Sequence, residues 1–182
     1  MLNIMAKNSM KQIEEDEKQI LAELTNNSNK SINEIAKKCG FSRQKVWRII
    51  KNLEKNKTIW GYTTIVDKEK QNLKNYTILI KRANKPIDDL AVDKIVKRDL
   101  DNFAETIGVN IECSYYTHGV YDWVICFSAK DTKDAKRFSE TLTKMFSDNI
   151  KEIHLLETLF LAKKQGITNP EMEKLKTFFN GI

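Results

Sequence analysis

The sequence predicts an α+β chain in two unlike parts, and three observations predict it. Residues 31–54 hold two short amphipathic segments joined at a glycine, the second half alternates strand and helix as β-α-β-β-α-β, and the excess positive charge sits in the first part. Of 182 residues, 41% are hydrophobic and 31% charged, enough for one large or two small folded cores, and the formal net charge is +6. From Lys30 to Lys57 nine Lys/Arg stand against two Asp/Glu, so this stretch alone exceeds the surplus of the whole chain. A basic first part on a nearly neutral second part implies that only the first meets a polyanion.

Residues 1–13 are polar with scattered Met and Ile and are expected as a flexible arm. A helix is expected from Asp16 to Asn26, with Ile20, Leu21 and Leu24 inward. Ser31 and Glu34 stand at capping-box spacing, where hydroxyl and carboxylate each satisfy a free backbone N–H of the first turn. Ile32, Ile35 and Ala36 give the next helix one apolar face. Gly40 follows, where the left-handed conformation suits a residue without a Cβ. Ser42 caps the following helix, and Val46, Ile49, Ile50 and Leu53 form its inner stripe. This is a helix-turn-helix pattern.

At about 100° per residue, Gln44, Arg48, Lys51 and Lys55 fall opposite the inner stripe, with Lys45 and Trp47 on the flanks. Such a face suits the major groove, where Arg pairs with guanine, Gln with adenine, and Lys with phosphates. The expected DNA contacts are Gln44, Lys45, Arg48 and Lys51, with Ser42 and Arg43 near phosphates at the helix start. Trp47 reads either as a contact to a thymine methyl or phosphate or as packing against the wing, and packing is the expectation. That wing is the β-branched, aromatic run Thr58–Asp67, followed by a polar linker. The expected units are 1–13, 14–69, 70–166 and 167–182.

In the second half, strands are expected at Asn75–Ala83, Val109–Thr117, Tyr121–Ala129 and Ile150–Lys163. Helices are expected from Pro86 to Gly108 and from Thr132 to Ser147, and another opens at Asn169-Pro170. The order is that of a ferredoxin-like βαββαβ layer with an extra C-terminal helix. Helices cover one face only, yet both faces of the Tyr121 strand and of the last strand carry apolar residues, so the other face needs a cover: a second subunit is expected, with the C-terminal segment as the alternative. Cys113 and Cys126 fall opposite each other if the hairpin turns at Gly119-Val120. Three cysteines without a CxxC fit reduced thiols, and with no apolar run of about 18 residues a cytoplasmic chain without membrane contact is expected.

The carrying residues Asp16-x3-Ile20-Leu21-x2-Leu24, Ile35-Ala36, Gly40, Ser42, Val46, Arg48-Ile49, Leu53-Glu54 and Ile59-x-Gly61-Tyr62-x4-Asp67 resemble the leucine-responsive regulator (Lrp/AsnC) family. The family's Gly-x-Tyr-Asp turn stands here as Gly119-Val120-Tyr121-Asp122. The likeness spans roughly residues 16–164. It implies a transcription regulator that binds double-stranded DNA as a homodimer or larger assembly and takes a small-molecule effector, such as an amino acid, near that turn. Thr117, Gly119, Tyr121 and Asp122 are the effector residues it implies. The longer Pro86–Gly108 helix, the tail beyond Gly166, and His118 and Trp123 beside the turn depart from the family pattern.

The same plan is similar to that of sirohaem decarboxylases, which carry Arg-x-His-x-Tyr-Asn-x-Trp at this turn. Here Gly119 stands at the His position and no Arg is near. His118 has no partner in sequence to orient an imidazole for acid–base work, and two histidines make no metal cluster. No catalysis, metal or cofactor is therefore expected. The alternatives are a metabolite sensor that does not need DNA, and an enzyme similar to those decarboxylases on the same fold.

Overall fold

The computed structural model describes the backbone of residues 2–180 and the side chains of residues 10–177 and 179. It divides into two compact units, 1–64 and 65–182.

The first unit is three helices, α1 (Leu2–Asn26), α2 (Ile32–Cys39) and α3 (Arg43–Lys55). Residues 2–13, expected as an arm, instead continue α1: no Gly or Pro interrupts 2–26, and Ala, Lys, Met, Gln and Glu favour helix. The capping box forms as expected, with the Glu34 amide donating to Ser31 Oγ (3.2 Å) and the Ser31 amide to Glu34 Oε2 (2.8 Å). Gly40 takes φ 69°, and the Phe41 amide donates back to the Ala36 carbonyl at 2.9 Å, closing α2. Ile20, Ile35, Ala36, Val46, Ile49 and Leu53 make the core, with Ile32 and Ile59 packed on its margin. The Thr58–Asp67 run forms no strand. Lys57 turns left-handed (φ 62°), and the Thr58 and Ile59 amides donate to the Leu53 carbonyl at 2.9 and 3.0 Å, so they close α3 instead of entering a ladder.

The second unit begins with a short 3-10 turn (Glu69–Gln71), then β1 (Lys74–Arg82), α4 (Asp89–Val96), α5 (Asp99–Thr106), β2 (Asn110–Tyr116), β3 (Trp123–Ala129), α6 (Thr132–Met145) and β4 (Ile150–Glu157). The strands form one antiparallel sheet in the order β2-β3-β1-β4, with helices on one face: a ferredoxin-like layer. Tyr76, Ile78, Ile80, Ile125 and Phe127 meet Leu100, Ala104, Phe138 and Leu142 in its core.

The helix expected from Pro86 to Gly108 is two helices. Ile95 to Leu100 is five positions, about 140° around a continuous helix, so one straight helix cannot aim both at the sheet. The chain resolves this at Arg98, which is left-handed (φ 59°) and separates α4 from α5. Asp88, not Pro86, caps α4 by accepting from the Ala91 amide at 2.8 Å. Leu90 and Val96 consequently face solvent, 66% and 74% exposed.

β4 ends at Glu157, earlier than expected. The tail then forms a two-residue-per-strand hairpin, β5 (Lys163–Lys164) and β6 (Ile167–Thr168), and α7 (Lys174–Asn180). Asn169-Pro170 starts a turn, not a helix, because Asn169 Oδ1 accepts the Glu171 amide at 2.8 Å. Of the apolar side of this tail helix, Phe178 lies outside the described side chains. The tail is tied down electrostatically: Lys164 and Lys68 both pair with the largely buried Glu112, and Lys70 reaches Glu171 at 3.5 Å.

Strand register puts two rows across the sheet face opposite the helices. Tyr115, Val124, Leu79 and His154 form one, and Cys113, Cys126, Thr77 and Leu156 the other. Cys113 and Cys126 are thus register partners as the hairpin arithmetic expects, and burial pushes the Cys113 thiol above its usual range. Among the described residues no helix is long and apolar enough to cross a membrane.

Candidate nucleic-acid interface

α3 presents its polar side as one continuous stripe. Ser42 caps its start, accepting the Lys45 amide at 3.2 Å, and Val46, Ile49 and Leu53 turn inward. Gln44, Trp47, Arg48, Lys51 and Lys55 are exposed in positions three and four apart. Among the described residues, Arg43, Gln44, Arg48 and Lys55 have neither an ion pair nor a side-chain hydrogen bond. Lys51 is engaged: Glu54 accepts its ammonium at 2.7 Å and the Tyr62 hydroxyl at 3.1 Å, which holds the Glu54 carboxyl below the usual range. Ser42 and Arg43 stand at the helix start, where backbone N–H groups and the helix dipole favour an anion.

Lys45 differs from the other candidates. Its ammonium lies 2.6 Å from the Oδ2 of buried Asp16 on α1 and 3.9 Å above the centre of the Phe41 ring. Charge-assisted bonding to Lys45 holds the Asp16 carboxyl below its ordinary value of 3.8, burial opposing and Gln12 assisting. A carboxyl depressed on folding contributes stability above its unfolded value and loses it as pH falls through the folded one. Thermal unfolding should therefore show Asp16→Asn less stable than the parent at pH 7, with the gap narrowing below pH 4. A gap that stays constant down to pH 3 would remove this role from the pair.

Trp47 was expected to pack and does not: it is 53% exposed. With Ile32 from α2 it walls an open, mainly apolar cleft of about 620 Å³ that Arg43, Gln44 and Arg48 also line. The angular signal was in the sequence, since Trp47 lies only about 60° from the centre of the Gln44–Arg48–Lys51 face, against about 100° for Lys45.

The winged helix-turn-helix DNA-binding family matches residues 17–59. The chain is 30% identical over 125 residues to the helix-turn-helix-type transcriptional regulator YugG of Bacillus subtilis, covering 68% of this chain and 72% of that one. An AsnC family transcriptional regulator from Agrobacterium tumefaciens has the same fold (TM-score 0.59, 20% identity, 88% of this chain and 97% of that one covered). The chain belongs to the helix-turn-helix-type transcriptional regulators and shares the fold of the AsnC family regulator. A further fold neighbour is the Neisseria meningitidis transcriptional regulator solved with L-methionine, with TM-score 0.64, 17% identity, and 88% and 97% coverage.

The turn with the Lrp/AsnC-like pattern, Gly119 to Asp122, lies between β2 and β3, and its residues are brought together by the hairpin. The Thr117 amide donates to the Asp122 carbonyl (2.9 Å) and Thr117 Oγ1 to the Tyr121 carbonyl (2.5 Å). Asp122 Oδ2 accepts the Arg82 amide at 2.8 Å, so its carboxylate joins the turn to β1. Tyr121 meets His154 edge-on with ring centres 5.7 Å apart, while Gly119 and His118 are exposed. Thr117 and Asp122 thus already hold the turn in shape.

Proposed function

We propose that the chain is a sequence-specific regulator that binds double-stranded DNA as a homodimer or larger assembly, with α3 in the major groove. The observation that carries this is the outer stripe of α3, where Gln44 and Arg48 have no acceptor or donor partner among the described residues. Those groups suit the edges of adenine and guanine, and Ser42 and Arg43 suit the adjoining phosphates. Lys51 is within a side-chain swing of the same groove face, whereas Lys45 acts by fixing α3 to α1. The half-apolar sheet face bearing Tyr115, Leu79, Val124 and Leu156 supports a second copy as its cover. A two-fold pair of α3 helices reads a near-palindrome with half-sites about one helical turn apart, or a multiple.

The turn carrying Thr117, Gly119, Tyr121 and Asp122 is the proposed place for a small-molecule effector such as an amino acid. The L-methionine in the Neisseria meningitidis neighbour supports that ligand class. Acting on DNA, the protein works in the cytoplasm. Selection of bound duplexes from a random pool at two salt concentrations tests the reading. A palindrome should be enriched, and affinity should fall steeply as salt rises. Weak binding blind to sequence would move the function to the second unit.

A further inference from the structure

We infer that the cleft between Trp47 and Ile32 is a thymine-methyl site, so that the indole adds a base-specific apolar contact to the polar readout by Gln44 and Arg48. This deepens the DNA-binding reading above and rests on it.

An exposed apolar side chain is ordinary when it stands alone. Trp47 does not stand alone. Its indole and the half-buried Ile32 come from different helices and share one concave, mainly apolar surface. The rim is cationic: Arg43 and Arg48 line the same cleft, and among the described residues no carboxylate pairs with either. An apolar cleft between two uncompensated guanidiniums fits an occupant that is anionic around an apolar point. A duplex presents that combination, with phosphates flanking the groove and the thymine C5-methyl as the apolar group on its major-groove edge. The placement agrees, because Trp47 lies one helical turn beyond Gln44 and beside Arg48 on the exposed stripe. An apolar protein segment would also bury the indole but would leave both guanidiniums without an acceptor.

The test uses the full chain and the duplex it enriches from the random pool. Each half-site thymine is replaced in turn by deoxyuridine, which keeps base pairing and removes only the methyl. At one thymine per half-site, affinity should fall about fourfold, as expected for one buried methyl. Trp47→Ala should bind the thymine duplex more weakly and be indifferent to that replacement, with its salt slope unchanged because no cation is lost. The deoxyuridine arm leaves the protein unaltered, so a misfolded variant cannot mimic the result. The inference is overturned if no single thymine is methyl-sensitive, or if methyl sensitivity survives in Trp47→Ala. A parent chain that enriches no duplex overturns the DNA-binding reading itself, and this inference with it.

Discussion

Replacing Arg48 and Lys51 together with alanine is expected to weaken binding to the enriched duplex at every salt concentration. Arg48 should carry the larger share, on the order of tenfold to a hundredfold, because a guanidinium on a guanine edge makes two hydrogen bonds that no neighbour can replace. Lys51 should contribute less, since it must leave Glu54, 2.7 Å away, to reach a phosphate. The salt slope should flatten by about one released counterion for Arg48 alone and about two for the double variant. Both side chains are exposed, so the unfolding midpoint should barely move. Anisotropy titrations across a salt series, with calorimetry on the same samples, separate these effects. Intact affinity in the double variant would mean that α3 does not face the groove.

The second large effect is expected in the other unit. Phe138 is fully buried on α6, with its ring centre 4.8 Å from that of Phe127, and Phe127 stacks in turn on Tyr76 at 5.5 Å. Phe138→Ala removes the helix-side end ring of a packed column that joins helix to sheet. It should cost about 3–5 kcal/mol of unfolding free energy, measured by denaturant titration. The first unit has its own core around Ile20 and Val46, so hydrogen-exchange protection of residues 31–54 should persist. A loss below about 1 kcal/mol would mean that α6 is not packed as described.

Local chemistry was readable from the chain where partners are near in sequence. Ser31 with Glu34, Gly40 and Ser42 each act within four residues, and the expected strands at Asn75, Val109 and Tyr121 differ from those observed by two residues or fewer at each end. The misses have nonlocal causes. Whether Pro86–Gly108 runs straight depends on which side chains the sheet accepts, and the five-residue step from Ile95 to Leu100 counted for more than the overall helical pattern. A helical wheel gives Lys45 an angle but not its partner, and Asp16 lies on another helix. For Trp47 the wheel angle points outward, against the general preference of indoles for burial, and the angle decides its exposure. At the turn, Asp122 reads equally well as a ligand or as a strut, and only its bond from the Arg82 amide shows the strut.

The grip on Lys45 has a consequence beyond stability. A reading helix that swings on its neighbours must be immobilised when it meets DNA, and the lost freedom subtracts from affinity. Here Asp16, Gln12 and the Phe41 ring already restrain the first turn of α3 through Lys45, on the flank of the exposed stripe. Lys45 can therefore strengthen binding without touching a nucleotide. Loosening it should show as slower, less selective docking in which all base positions lose discrimination together. A severed base contact instead blurs one position and spares the rest.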